Sequence, residues 1–404
     1  MTIKVVGGGL RPPLESQPSQ SRTRKAVIAP EDKTLDSLRL EIDRLDEMLL
    51  DVLAERNERV AEVAAIKVEQ GLPVFAADRE RNKSRVFRQQ AEARGLDPDW
   101  AEDFLRMVMA AARAAQSRER FARATTEPRR ILVVGGAGRM GRLYRRMAAA
   151  SRHDVRVLEP HDAWPWPPGE PGPDLAIISV PVARTPEVIH EIAPWLSSRT
   201  VLADFTSHKV APVNDMLAAH PGPVLGLHPM HGPDVSNLSR QLMIACPGRR
   251  AEAGEWFLEQ CRLWGMRVLQ CDPEEHDRVM DLVQGLRHFL VLMHGVFLRK
   301  EGLPPGQILE YSSPVYRAEL MMTGRIFAQP PQLYADVVFS SDERRRLILR
   351  FLEGQGPLAE LVRNGDREGF VEEFRAVGEF FGDFAGTALE ESGYLVHRLT
   401  DRFG

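Results

Sequence analysis

From Thr34 to Gln70 the chain has neither Gly nor Pro, and Leu35, Leu38, Ile42, Leu45, Leu49, Val52, Val60, Val63 and Ile66 fall at helical spacing. The pattern predicts one amphipathic helix with an apolar stripe, stopped by Gly71 and Pro73. At ~1.5 Å per residue it would be about 55 Å long, too long to fold back on one small globule. Two shorter helices are predicted near 78–94 and 99–123, divided by Gly95-Leu-Asp-Pro98. Such a trio cannot hide the long stripe alone, so an intertwined homodimer is the natural way to bury it. A coiled-coil arm without chemistry is the alternative.

The periodicity changes after a short linker, 124–129. Ile131 to Val134 reads as a buried strand that breaks into Gly136-x-Gly138-x-x-Gly141, and Leu143, Tyr144 and Met147 then carry helical spacing. Gly136 is expected to make the tight turn, Gly138 to admit a pyrophosphate, and Gly141 to let helix pack on strand. Arg139 and Met140 open that helix, where free backbone amides suit a diphosphate. A second apolar strand ends at Glu159, eighteen residues past Gly141. A carboxylate there takes the ribose 2′-hydroxyl and repels a 2′-phosphate, which favours NAD over NADP. Asp162 to Pro173 is too rich in Pro to be a helix, so the usual crossover helix is replaced by a loop.

Further strands are predicted at Leu175 to Val180, Val201 to Phe205, Val224 to Leu227 and Leu242 to Ala245. In a doubly wound sheet ligands bind outside the carboxyl ends of the strands. Polar residues gather there: Ser179 and Pro181 close the third strand, Ser207 and Lys209 the fourth, His228 and His231 the fifth. His228 is suited to take a hydroxyl proton as hydride leaves, with Ser207 orienting its ring. A His228/His231 metal pair is disfavoured, because Pro229 breaks the helix that would align the two and no third ligand has fitting spacing. We therefore assign no metal.

Beyond Asp272-Pro273-Glu-Glu, a helix start, the pattern is helical to the end, and Phe289 to Leu298 is apolar enough to belong in a core or a dimer interface. His288 lies in that helix, as a satisfied buried histidine or a ligand. Arg317 and Arg325, eight apart, either clamp a carboxylate or pair with an acid.

Length and charge narrow the class. The 404 residues suit two or three domains, and a net charge of −4 leaves no overall nucleic-acid footprint. No apolar run reaches membrane-spanning length and no signal-peptide pattern follows Met1. Cys246, Cys261 and Cys271 lack metal-ligand spacing and suit a reducing, cytoplasmic setting. Residues 1–33, rich in Pro, Ser and Arg, read as a disordered tail. The expected domains are 34–123 (all-α), 130–272 (Rossmann-type α/β) and 273–404 (all-α).

Charges on the helical region suggest more than a dimerisation arm. Arg56 and Lys67 are only ~20° apart around a helix advancing ~100° per residue, whereas Arg39 lies about 80–100° away, where it more plausibly serves a partner's site. Arg79 and Glu80 open the next helix and Gln116 sits on the third. Such cations either converge on a dianion or form a solvated face.

Two resemblances bear on these positions. Residues 35–120 resemble the all-helical chorismate mutase family in Leu-x-x-Leu-Arg39-x-x-Ile-Asp-x-x-Asp, Leu-Ala-Glu-Arg56, Lys67, Arg79-Glu80 and Gln116. The likeness implies that Arg56 and the other subunit's Arg39 bind the substrate carboxylates, with Arg79 in the same site. It also implies that Lys67 and Gln116 face the ether oxygen and that Glu80 holds the hydroxyl. Ala76 and Ala112 stand where other members can carry Asp and Ser. Residues 130–390 resemble prephenate dehydrogenases in the glycine loop, Ser-Val-Pro181, Ser207-x-Lys209, Gly-Leu-His228-Pro-Met, Leu-Arg-His288-Phe, Ser-Ser-Pro-x-Tyr-Arg317 and Gly-Arg325-x-Phe-Ala-Gln. That likeness implies His228 as the base with Ser207 as its partner. Arg325 becomes the prephenate carboxylate anchor, assisted by Lys209, while His288 is linked to feedback by L-tyrosine and Arg317 is structural. His231 replaces an expected aromatic residue. The order of the two segments resembles the bifunctional chorismate mutase/prephenate dehydrogenases, with chorismate and prephenate as substrates. An arogenate-preferring dehydrogenase with a vestigial mutase, or a tyrosine-responsive NAD-binding assembly protein, are the alternatives.

Overall fold

The computed structural model describes residues 34–116, 120–167 and 169–403, with side chains omitted at 116 and 401–403. The expected disordered tail, 1–33, lies outside the described residues. The chain divides into two compact units, one up to Glu58 and one from Arg59 onward.

The long Gly- and Pro-free segment forms helix α1, Leu35–Glu69, and it buries none of its residues. Ile42, Leu45, Leu49 and Val52 stay at least 44% exposed, so the apolar stripe is uncovered in the single chain. Helices α2 (Ala77–Glu92) and α3 (Pro98–Gln116) follow as a packed pair. The third helix is described to Gln116 and does not include 120–123, although the periodicity predicts an end at 123. Phe121 and Ala122 are fully buried instead, and Phe121 donates its amide to Ala150 O at 3.2 Å, so the α/β core claims them from the helix.

The α/β layer is one seven-stranded sheet in the order β2-β1-β3-β4-β5-β6-β7. Its strands are β1 Arg130–Val134, β2 Asp154–Leu158, β3 Leu175–Ile178, β4 Val201–Asp204, β5 Val224–Pro229, β6 Leu242–Pro247 and β7 Arg267–Gln270. All pairs are parallel except β5 with β6. Strand β7 was not foreseen, because four residues at a sheet edge, mostly exposed, carry no periodic signal. Successive residues point to opposite faces of a strand. Ile131 and Val133 therefore join one core with Tyr144, Met147, Phe257 and Trp264, while Leu132 and Val134 join another with Ile189 and Met216.

Helices α4 (Arg139–Ala150), α5 (Thr185–Ile192), α6 (Val210–Ala219) and α7 (Glu255–Leu263) cover these faces. Among the described residues, 160–173 contain no helix or strand. Trp166 of this Pro-rich loop is 4% exposed in the second core, with the Arg156 guanidinium 4.9 Å from its ring centre. One indole thus covers the face that a crossover helix would otherwise cover.

The rest is helical: α8 Pro273–Met280, α9 Arg287–Glu301, α10 Pro305–Glu310, α11 Pro314–Phe327, α12 Pro331–Val338, α13 Asp342–Glu353, α14 Gly356–Asn364, α15 Arg367–Phe381 and α16 Asp383–Phe403. A single turn of π-helix, Asp281–Leu286, joins α8 to α9. Helix α9 buries no residue and Phe297 is 59% exposed, as the apolar run from Phe289 implied for an interface. Among the described residues, no helix is long and apolar enough to cross a membrane.

Candidate active sites

The glycine loop joins β1 to α4. Its tight turn falls on Gly135 (φ +77°), not on Gly136 as expected, and a Cβ at Gly135 would meet Ser179 O at 2.6 Å. Gly136 is needed for another reason, since a Cβ there would lie 2.7 Å from the Val157 side chain of β2. Gly141 packs helix on loop as predicted: its Cβ would sit 2.5 Å from Gly135 O. Gly138 caps α4 with extended backbone and no side-chain cap, so the first amides of the helix stay open. Those amides and the small loop fit a diphosphate.

Glu159, just past β2, accepts the Ala137 amide at 2.6 Å. It lines a cavity of about 600 Å³ together with Gly138, Ser179, Pro181, Trp164 and Trp195. The two indoles stack at 5.7 Å with 22° between their planes. Arg139 pairs with Asp234 at the surface, and Met140 packs against the first core.

At the carboxyl end of β5, His228 is 4% exposed. Its Nδ1 is 2.8 Å from His276 Nε2, and His276 Nδ1 is 2.7 Å from Asp277 Oδ1. Gln284 Nε2 lies 3.2 Å from His228 Nε2. Only one proton arrangement satisfies the chain with both rings neutral. The Asp277 carboxylate accepts from His276 Nδ1–H, so His276 Nε2 accepts from His228 Nδ1–H. His228 Nε2 is left as a lone pair facing the Gln284 amide. Burial foremost, and then the nearby Lys209 ammonium, push the His228 pKa well below the usual histidine value. Asp277 also accepts the Lys209 and Val210 amides at 2.7 and 2.9 Å, which caps α6 and pins the network to the sheet.

Two expected contacts at this site are absent. Among the described residues, Ser207 Oγ is buried and has no hydrogen-bond partner, so His276 and Gln284, not Ser207, orient the imidazole. Lys209 does not present its charge to a ligand: its side chain is fully buried, donating to Asp204 Oδ2 at 2.5 Å and Leu227 O at 2.8 Å. Leaving a buried charge without its partner costs roughly 3–5 kcal/mol, so this ammonium is held for the fold.

Neither His276 nor Gln284 was singled out from sequence, since both reach His228 across roughly fifty residues. The π-helical turn carries Gln284. It is held by Arg344, which is 1% exposed and donates to Asp281 Oδ1 at 2.8 Å and Val337 O at 2.5 Å. A Cβ at Gly285 would meet the Arg344 side chain at 2.4 Å. His231 forms a separate contact, with its Nε2 3.1 Å from the Tyr144 hydroxyl. On the C-terminal helices, His288 stacks edge-on against Tyr334 at 5.1 Å, and its buried Nδ1 meets no geometric hydrogen-bond partner among the described residues. Arg325 is exposed and close enough to Tyr334 to act on its phenol. Arg317 donates to Leu309 O at 3.1 Å, a structural bond.

In the second unit, Lys67 Nζ donates to Val74 O at 2.8 Å. Burial foremost and then Arg79 push its pKa down, while Glu80 opposes them. Glu80 is gripped by Arg113 at 2.5 Å and Arg240 at 2.7 Å, two partners that sequence did not suggest. Arg113 lies one turn before Gln116 on α3, a signal that could have been used; the Gln116 side chain lies outside the described residues. Ala76 and Ala112, the latter buried, offer no polar group. In the first unit, Arg39 is exposed beside Asp36 at 3.4 Å. Arg56 Nη1 is buried without a hydrogen-bond partner among the described residues.

The T-protein of Enterobacter agglomerans is 42% identical over 370 residues, covering 91% of this chain and 98% of that protein. The chain belongs to the T-protein family. The T-protein of Haemophilus influenzae is 37% identical over 91% of this chain and 98% of its own length. A family model described as chorismate mutase type II matches residues 38–117. Models for the prephenate dehydrogenase nucleotide-binding and dimerization domains match 171–264 and 272–376. A crystal structure of Aquifex aeolicus prephenate dehydrogenase with hydroxyphenyl propionate and NAD+ shares the fold, at TM-score 0.51 and 19% identity over 64% of this chain and 99% of that one. In T-protein terms, α1 to α3 are the mutase segment, the sheet is the nucleotide-binding domain, and α8 onward includes the dimerization domain.

Proposed function

We propose that this T-protein uses His228 as the base of its dehydrogenase and the Lys67/Arg79/Glu80 cluster for its mutase. The chain is a bifunctional enzyme of tyrosine biosynthesis. It rearranges chorismate to prephenate, then oxidatively decarboxylates prephenate to 4-hydroxyphenylpyruvate with NAD. The observation that carries the base assignment is the Asp277–His276–His228 chain, which leaves His228 Nε2 unprotonated.

Gly136, Gly138 and Gly141 shape the loop for the diphosphate, Arg139 and Met140 open its helix, Glu159 takes the ribose, and Ser179 and Pro181 line the cleft. NAD, when bound, supplies the hydride acceptor. His228 Nε2 takes the ring hydroxyl proton, and His276 with Asp277 stabilises the resulting imidazolium without moving. Loss of the ring carboxylate as CO₂ restores aromaticity, so the step needs positioning more than strong acid–base power. Arg325 anchors a substrate carboxylate, and Ser207, whose Oγ has no hydrogen-bond partner among the described residues, keeps its hydroxyl for the substrate.

The rearrangement needs neither acid nor nucleophile, only a compact conformer and positive charge where the breaking C–O bond becomes negative. Lys67 and Gln116 face that oxygen, Glu80 holds the hydroxyl, and Arg56, Arg79 and the other subunit's Arg39 bind the carboxylates. A homodimer is supported by the uncovered stripe of α1. A cytoplasmic setting is supported by three free cysteines. Tyrosine is the feedback ligand, acting near His288.

The test is NADH formation from prephenate, with and without tyrosine, by the native protein and by His228→Asn. The substitution should lower kcat by roughly 10²–10⁴-fold and leave NAD binding and mutase activity intact. Full dehydrogenase turnover in the variant would remove His228 from the mechanism.

A further inference from the structure

The mutase segment is joined to the nucleotide-binding domain beside Glu80. Val74, in the loop between α1 and α2, donates its amide to Leu263 O at 3.2 Å and packs against the first core. Phe75 sits against Gly265, where a Cβ would meet Phe75 Cβ at 3.1 Å. Arg240, from the loop before β6, spreads its guanidinium 4.9 Å from the Phe75 ring centre. From there its Nη2 reaches Glu80 Oε2 at 2.7 Å, while Arg113 of α3 takes Oε1. Each carboxylate oxygen thus has its own guanidinium, one from each domain. Arg240 holds a backbone that side-chain-bearing residues rarely adopt, φ +67°, with its N–H donating to Gly265 O at 2.8 Å. Such conformations persist where the surroundings over-determine them, and they gather at functional sites.

We propose that Arg240 of the dehydrogenase domain is a positioning residue of the mutase site, setting the orientation of Glu80 toward the substrate hydroxyl. The mutase is then incomplete without the folded nucleotide-binding domain. The inference rests on the reading of Glu80 as a chorismate ligand. Arg240 reaches the substrate only through Glu80, and its half-exposed guanidinium predicts a moderate effect. Lysine restores the charge but not the planar guanidinium that reaches the carboxylate from over the Phe75 ring.

The experiment uses the full-length protein with Arg240→Gly, which tolerates the positive φ, with Arg240→Lys, with Glu80→Ala, and with Arg240→Gly combined with Glu80→Ala. Chorismate kcat and KM and prephenate kcat and KM are measured on each preparation. Arg240→Gly should lower mutase kcat/KM about five- to tenfold, chiefly through KM, with dehydrogenase constants within twofold; Arg240→Lys should recover part of the loss. In the Glu80→Ala background, Arg240→Gly should cost nothing further. If Glu80→Ala cripples the mutase while Arg240→Gly leaves it within twofold, the inference is overturned and the mutase-site reading stands. If Glu80→Ala itself has no effect, that reading falls. A loss common to both activities in Arg240→Gly and Arg240→Lys would make Arg240 a structural strut and overturn the proposal.

Discussion

At the scale of single residues the dehydrogenase turns on one lone pair. His228 Nε2 can act as a base only while the ring is neutral, and burial foremost, then the Lys209 ammonium, disfavour its imidazolium. The pH profile of kcat/KM reports the free enzyme, so its acid limb should lie well below the ordinary histidine value of about 6.5. A limb at or above that value in prephenate kcat/KM would mean that a different group limits the acid side. His228 was legible in the sequence because it ends a strand whose neighbours also end in polar residues. His276 and Gln284 were not, since nothing local marks a histidine on α8 or an amide on a π-helical turn as facing β5. Lys209 was misread for a related reason: a lysine after a strand looks available until Asp204, five residues earlier, is seen buried beside it.

At the scale of elements, the glycine loop separates two kinds of constraint. A Cβ at Gly141 would sit 2.5 Å from Gly135 O and 2.7 Å from Gly136 Cα, both backbone atoms that cannot swing away. Gly141→Ala should therefore cost about 1–3 kcal/mol as overpacking, visible as a lower melting temperature as well as weaker NAD binding. At Gly138 the nearest atom would be Gly135 O, 3.1 Å away, a looser fit in the loop that suits the diphosphate. Gly138→Ala should raise the KM for NAD with little change in melting temperature. Equal loss of stability in both variants would refute the distinction. The strand–loop–helix unit was plain in the sequence, but the turn's placement was not. With glycine at both 135 and 136, the sequence does not show which one bends; the fold puts the positive φ at Gly135 and the close packing on Val157 at Gly136. Likewise Phe121 and Ala122 are outside α3 because they find a core, a long-range preference that helix periodicity cannot register.

At the scale of the whole molecule, the domain order and the apolar stripe were readable from the chain, whereas the response of the fold to acid emerges only from burial. His153, His208, His220, His228, His231 and His288 all have pKa values pushed below the ordinary one, in each case chiefly by burial. In the unfolded chain these rings take a proton as pH falls through about 6.5, while the folded chain refuses it. The unfolded state then binds more protons, so stability rises with pH and is lost as pH falls from that value toward the depressed folded values. His153 shows the cause at one site. Its Nδ1 accepts the Arg129 amide at 3.1 Å, so protonation would turn that acceptor into a donor facing a donor. The melting temperature should therefore fall between pH 7.5 and 5.5, above the range in which ordinary carboxylates titrate. His153→Gln, distant from the His228 network, should flatten part of that slope at the expense of some stability at neutral pH. A melting temperature that stays level across this window would show that the buried rings titrate alike in both states.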